Sequence, residues 1–113
     1  MKKAIVFLAN GFEEMEATGT IDILRRGGVE VTIVTINSSR EVTGAHGMVY
    51  LADQTLAEAD CTTADALVLP GGMPGATNLN ACEPLCELLQ AHYAQEKLVA
   101  AICAAPLVLG GLG

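Results

Sequence analysis

The chain has 113 residues, of which 13 are acidic and six basic, and its formal net charge is −7. Hydrophobic residues make up 51% of the sequence and aromatic residues 4%, so we expect one domain, residues 1–113, with an aliphatic core. The basic residues form no patch beyond two adjacent pairs, at 2–3 and 25–26, which argues against nucleic-acid binding. No apolar run is long enough to cross a bilayer, and the short one near the start leads directly into acids, unlike a secretory signal. We therefore expect a cytoplasmic protein without membrane contact.

The apolar and polar residues alternate in blocks that predict strands and helices in turn. Residues 2–9 predict a strand buried on both faces, and Met15, Ile21 and Leu24 predict a helix over 15–28. The later predicted elements are a strand over 29–36, a hairpin over 37–53, a connector over 55–65, a strand over 66–72, a loop over 73–84, a helix from about Glu83 to Gln95, a strand over 97–103 and the start of another helix. This alternation predicts an α/β fold with a mostly parallel sheet.

Three distinctive stretches follow predicted strands. They are NGFEEME after the first, PGG after the third and Cys103 at the end of the fourth. Ligands of such sheets bind outside the carboxyl ends of the strands. We therefore expect the three stretches to converge on one site.

Cys103 ends the last predicted strand, where the chain turns into a helix among small residues, Ala100, Ala101, Ala104 and Ala105. A strained turn of this kind exposes a nucleophile above the sheet. The positive end of the helix dipole favours the thiolate. A buried structural cysteine explains the position equally well, so both interpretations stay open. The other cysteines form no CxxC pair and none is paired with a histidine, so we expect no metal site.

Backbone amides are the predicted oxyanion donors. The glycines at 71 and 72 allow a ligand to approach the backbone, and with the Ala104 N–H they could form an oxyanion hole. A tight turn after the strand needs the same glycines, so this pattern alone does not decide between the two roles.

Three acids crowd the start of the first predicted helix, where the helix dipole favours them. Glu16 lies one turn in and could face the pocket. Burial and a nearby thiolate would both keep its carboxyl protonated, able to shuttle a proton. His46, in a glycine-flanked turn, could border the site, although a loop histidine is more often incidental. His92 is expected on a solvated helix face.

Four stretches resemble the ThiJ/PfpI superfamily, most closely its DJ-one branch, that of the parkinsonism-associated protein deglycase. They are GFEEMEA, DILRRGGVEVT, ADALVLPGGMPGATNL and LVAAICAAP, and they occur in the family's order along the whole chain. The resemblance implies a flavodoxin-like three-layer sandwich and a homodimer formed through the helix that carries Met15. Family domains continue beyond the elbow and supply a histidine, so we expect this chain to be an N-terminal portion that is inactive alone.

The resemblance also assigns roles to individual residues. Cys103 matches the reactive cysteine and Glu16 its hydrogen-bonded glutamate. Gly72 and Ala104 match the backbone-amide donors. Arg26 and His46 fall near positions that line the mouth of the site.

These assignments predict a cofactor-free cysteine enzyme acting on a small reactive carbonyl, either a 2-oxoaldehyde or a glycated group. The alternative is a redox-sensing or chaperone protein whose Cys103 oxidises to sulfinate. A non-catalytic flavodoxin-like domain is a third possibility. A cysteine protease is disfavoured, because Ala104 stands where the protease-like branch has its histidine base.

Overall fold

The computed structural model describes residues 2–61, 63–95 and 98–101. It is an α/β fold with a five-stranded parallel sheet in the order β5-β2-β1-β6-β7 and a separate antiparallel hairpin of β3 and β4. Leaving aside the two-residue β5, the second–first–third–fourth order of the main strands is that of flavodoxin-like sheets. The elements are β1 Lys3–Leu8, α1 Glu14–Arg26, β2 Glu30–Thr35, β3 Glu41–Thr43, β4 Val49–Leu51, β5 Gln54–Thr55, β6 Ala66–Leu69, α2 Gly75–Asn80, α3 Glu83–Ala94 and β7 Leu98–Ala101.

Strand β1 is central because both of its faces are apolar. Ile5 and Phe7 point into one core cluster with Leu85 and Leu89 of α3. Val6 and Leu8 point into the other, which includes residues of α1. Alternate side chains of one strand thus bury two helical layers, which confirms the predicted three-layer sandwich.

Helix α2 is an element that the sequence did not predict. The sequence predicts a loop over 73–84, and the Gly, Thr and Asn of residues 75–80 are weak helix formers. Ala76 and Leu79 are buried there, so tertiary packing outweighs local propensity.

The solvated position expected for His92 is wrong. The side chain is 2% exposed, and its Nε2 lies 2.9 Å from the Ala64 carbonyl oxygen. The imidazole therefore joins α3 to the segment that precedes β6. None of the helices in the described ranges is both long and apolar enough to cross a bilayer.

Candidate functional site

The candidate site lies at the carboxyl edge of the sheet, between β1 and β6. From β1 the chain proceeds to β2 on one side, whereas β6 and β7 occupy the other side. This reversal of strand order is where open α/β sheets place their ligands. The loops that meet there are residues 9–13, which lead into α1, and residues 70–74, which lead into α2.

The backbone N–H and C=O of Gly71 connect the two loops. Glu13 N–H donates to the Gly71 carbonyl oxygen at 2.8 Å, and Gly71 N–H donates to Glu16 Oε1 at 3.0 Å. Glu13 is the N-cap of α1 and Glu16 is three residues later, the two positions of a capping box. In a capping box the later carboxylate reaches back to the N-cap N–H. Here the backbone of Gly71 lies between the Glu13 N–H and the Glu16 carboxylate and bonds both. The half-buried Glu16 is therefore held against the loop that follows β6.

Gly72 must be glycine for two reasons. Its φ is +101°, a region that side chains disfavour. A Cβ there would overlap the backbone nitrogen of Glu13 and lie 2.8 Å from the carbonyl oxygen of Gly11. The loops approach each other backbone to backbone, with no room for a side chain between them.

The two glycine amides differ in what they can still bind. The Gly71 N–H already donates to Glu16. Within the described ranges the Gly72 N–H has no hydrogen-bond acceptor. Of this pair, Gly72 is therefore the amide that can still donate to a ligand, and among the described residues no donor contacts the second oxygen of Glu16, Oε2.

Glu14 and His46 form a second set of contacts on the hairpin side of α1. The Glu14 side chain is buried, and its Oε2 accepts from the backbone N–H groups of His46 at 2.9 Å and Met48 at 3.2 Å. Its Oε1 lies 3.0 Å from His46 Nδ1. A carboxylate only accepts hydrogen bonds, so Nδ1 must carry the proton. Gly44 lets the carboxyl group in, because a Cβ at Gly44 would overlap it.

These contacts shift the titration of both partners. Burial alone would raise the pKa of the Glu14 carboxyl. The hydrogen bonds from the His46 ring and from backbone N–H groups outweigh burial and lower that pKa to about 2. The hydrogen bond to Glu14, together with the charges of Glu13 and Glu14, raises the pKa of the His46 ring. The pair is therefore an ionic one at mildly acidic pH.

Glu13, Glu14 and His46 are also a group whose ligand atoms could hold a metal ion, since these atoms lie within 4.8 Å of one another. The Glu14 oxygens, however, already accept three hydrogen bonds from N–H donors. Hydrogen bonds from the protein thus already occupy the Glu14 member of this group.

The structure does not bring Arg26 to Glu16. Arg26 is the last residue of α1, and it pairs with Asp22 at 3.0 Å with its side chain 79% exposed. Ten residues of helix, about 15 Å, separate it from Glu16. His46 reaches the start of α1, but its contacts there are with Glu14 and Glu13.

Cys103 and Ala104, the predicted nucleophile and amide donor, lie outside the described residues, as does the helix expected to follow them. Strand β7 is described and pairs in parallel with β6, with Ala101 opposite Leu69. The carboxyl end of β7 therefore lies at the same edge of the sheet as Gly71 and Gly72. Cys103 is two residues further along the sequence.

Sequence reasoning missed Asn10 and the buried role of Glu14. Asn10 Oδ1 accepts from Thr43 N–H at 3.1 Å and from Asn37 Nδ2 at 3.0 Å, and its carbonyl oxygen accepts from Asn78 Nδ2 at 2.7 Å. Asn-Gly after a strand signals a turn, which is the only local sign of this role. Nothing in the sequence distinguishes Glu14 from its acidic neighbours.

Comparison with known proteins gives consistent matches along the chain. The model of the DJ-1/PfpI family matches residues 2–113. Protein DJ-1 homolog B of Arabidopsis thaliana is 37% identical over 110 residues, which are 97% of this chain and 25% of that protein. The oxidized DJ-1 of Toxoplasma gondii superposes with a TM-score of 0.96 at 38% identity, covering 100% of this chain and 62% of that one.

A third match is a cysteine-to-alanine mutant of a DJ-1 superfamily protein from Salmonella typhimurium, with a TM-score of 0.93 and 41% identity. It covers 99% of this chain and 62% of the Salmonella chain. The present chain thus spans less than two thirds of the length of each of these three proteins. The family model and the relatives agree over the whole of its sequence, and the chain belongs to the DJ-1/PfpI family.

Proposed function

We propose that the protein is a cysteine-dependent, cofactor-free enzyme that acts on reactive 2-oxoaldehydes or glycated groups. The observation that carries the proposal is the contact between Glu16 and the loop after β6, at the switch point of the sheet. It holds a carboxyl group beside the Gly72 amide, which has no hydrogen-bond acceptor in the part of the chain that the structure describes. Cys103 follows β7, whose carboxyl end is at the same edge.

In the proposed reaction, the Cys103 thiolate adds to the aldehyde carbon of methylglyoxal and forms a hemithioacetal. The Gly72 and Ala104 amides stabilise the oxygen that becomes negative, and Glu16 supplies its proton. Glu16 then moves the former aldehyde proton to the ketone carbon, and the hydroxyl proton of the hemithioacetal passes to the ketone oxygen. The aldehyde carbon is oxidised to a thioester as the ketone is reduced to an alcohol. Water hydrolyses the thioester, giving lactate and the free thiol, with no external oxidant.

Lactate formation from methylglyoxal tests this proposal in the intact protein. We expect Cys103→Ser to abolish it, because a hydroxyl is a far weaker nucleophile than a thiolate at neutral pH. Cys86→Ser is the matched control, since burial raises the pKa of that thiol and makes it a poor nucleophile. Parental lactate formation by Cys103→Ser would refute the proposal.

Redox sensing through Cys103 is the second candidate function. One similar structure is that of an oxidized DJ-1, and this supports the candidate. A low-pKa thiol oxidises to sulfenic and then sulfinic acid, whereas burial raises the pKa of Cys61 and slows its oxidation. Mass spectrometry after mild peroxide should find oxygen added at Cys103. Addition at Cys61, Cys82 or Cys86 instead would refute this function.

A homodimer through the start of α1 is also part of the proposal. Met15 is 82% exposed, and Val49 and Leu51 on β4 are each 62% exposed. Exposed apolar side chains on these two elements favour contact with a second copy of the chain. Sedimentation should give twice the monomer mass.

The cytoplasmic location is proposed as well, supported by the free thiols of Cys61, Cys82 and Cys86.

A further inference from the structure

We propose that Glu14 is a positioning residue, which fixes Glu16 and the Gly71 amide by holding the β3–β4 hairpin against the start of α1. The inference rests on the proposed role of Glu16 in proton transfer. Glu14 itself faces the hairpin and touches no reacting group.

One buried carboxylate, that of Glu14, lies at the centre of the hairpin side of this connection. All three of its bonds go to residues 46–48, the turn between β3 and β4. Two backbone bonds flank it: Ala45 N–H donates to the Phe12 carbonyl oxygen and Gly11 N–H to that of Thr43, each at 2.8 Å. The turn and the 10–14 segment are therefore one hydrogen-bonded unit, with the carboxylate at its centre.

The other side of the same segment meets the site. Glu13, one residue before Glu14, donates to the Gly71 carbonyl oxygen, and Gly75 N–H donates to that of Gly11 at 3.1 Å. Glu16, two residues after Glu14, accepts from Gly71 N–H. Glu13 and Glu16, the two residues that contact Gly71, lie within two residues of Glu14 in the same helical turn. A displacement of Glu14 must therefore also move these contacts.

Helix capping does not explain Glu14. The cap is supplied by Glu13, whose Oε1 accepts from Met15 N–H at 3.3 Å. An exposed carboxylate near the start of a helix already benefits from the helix dipole, so this benefit does not require burial. Burial of Glu14 would be costly without its partners, so the hairpin contacts are the reason for its position. Glu83 is the natural comparison, since it is also the first residue of a helix and is exposed.

The test is hydrogen exchange of the Gly71 amide, measured by NMR together with lactate formation in the intact protein. Glu14→Ala should speed exchange at Gly71 by at least about tenfold, because the N–H loses its fixed acceptor. It should also lower kcat with little effect on KM. Glu14→Gln should keep the Gly71 exchange rate and kcat near their parental values. The glutamine oxygen can accept from the N–H groups of His46 and Met48, and its amide can donate to a neutral His46 ring. Glu83→Ala should leave both unchanged.

Two results would overturn the inference. One is parental Gly71 exchange in a folded Glu14→Ala protein. The other is faster exchange with unchanged kcat. If Glu14→Ala does not fold, Glu14→Asp, one methylene shorter, must show faster Gly71 exchange than Glu14→Gln. If the parent makes no lactate, the proposed function fails, and the exchange rates alone then decide whether Glu14 holds Gly71.

Discussion

The segment from Asn10 to Glu16 is held on its two sides by different kinds of contact. On the β6 side, the glycines at 72 and 75 bring backbone against backbone, with no space for a Cβ. On the hairpin side, two backbone bonds leave a gap between them, and one carboxylate, Glu14, fills that gap and satisfies the turn. Backbone contacts allow no adjustment, whereas a side-chain contact can be titrated or replaced. The difference shows how three acids in one helical turn acquire separate roles.

The largest expected effect is at Gly72, on the backbone side. Gly72→Ala adds a Cβ against the Glu13 backbone at a positive φ, and should lower the free energy of unfolding by about 3 kcal/mol. Gly28→Ala is the matched control, because its φ is +87° but nothing lies within 4 Å of the added Cβ, so only strain of about 1 kcal/mol is expected. Denaturant unfolding followed by circular dichroism measures both. Equal losses would mean that the close approach at Gly72 contributes nothing.

A smaller effect is expected on the hairpin side, and it depends on pH. The pKa of Glu14 is lowered from 4.5 to about 2, so its contribution to stability is complete above pH 4.5 and is lost as the pH falls toward 2. The pKa of His46 is raised above 6.5, so its contribution is present below that pH and is lost as the pH rises through the raised value. Glu14→Gln should flatten the acid side of the stability profile.

Urea unfolding midpoints measured between about pH 2 and about pH 6 give this dependence, because the range spans both the lowered and the ordinary pKa of Glu14. Glu83→Gln removes a carboxylate from the same helical position and should keep the parental profile. An unchanged acid limb in Glu14→Gln would show that the buried ionic contact does not stabilise the fold.

The sheet could be predicted from sequence because its inner strands β1 and β6 are buried on both faces. An apolar run such as residues 2–9 predicts a buried strand, and the topology of a parallel sheet then predicts which loops meet at its carboxyl edge. Helix α2 and buried His92 could not be predicted in this way. Both depend on packing between distant segments, α2 through Leu79 and His92 through the Ala64 carbonyl, and neither contact leaves a local pattern.

The site shows the same limit at finer scale. The convergence of the β1 and β6 loops follows from strand order alone, and Glu16 could be singled out because it lies one turn into α1. Glu14 could not, since the helix dipole favours an acid at each of these positions alike. Only the folded hairpin, with Gly44 open beside it, selects Glu14 for burial.

The most direct test of the account compares two isosteric changes two residues apart. Glu16→Gln keeps an oxygen for the Gly71 N–H but cannot exchange a proton, so kcat for lactate formation should fall by at least about 100-fold with Gly71 exchange unchanged. Glu14→Gln should stay within about threefold of the parent, because its contacts are structural. Similar activities for the two variants would contradict the division between a proton-transferring Glu16 and a positioning Glu14.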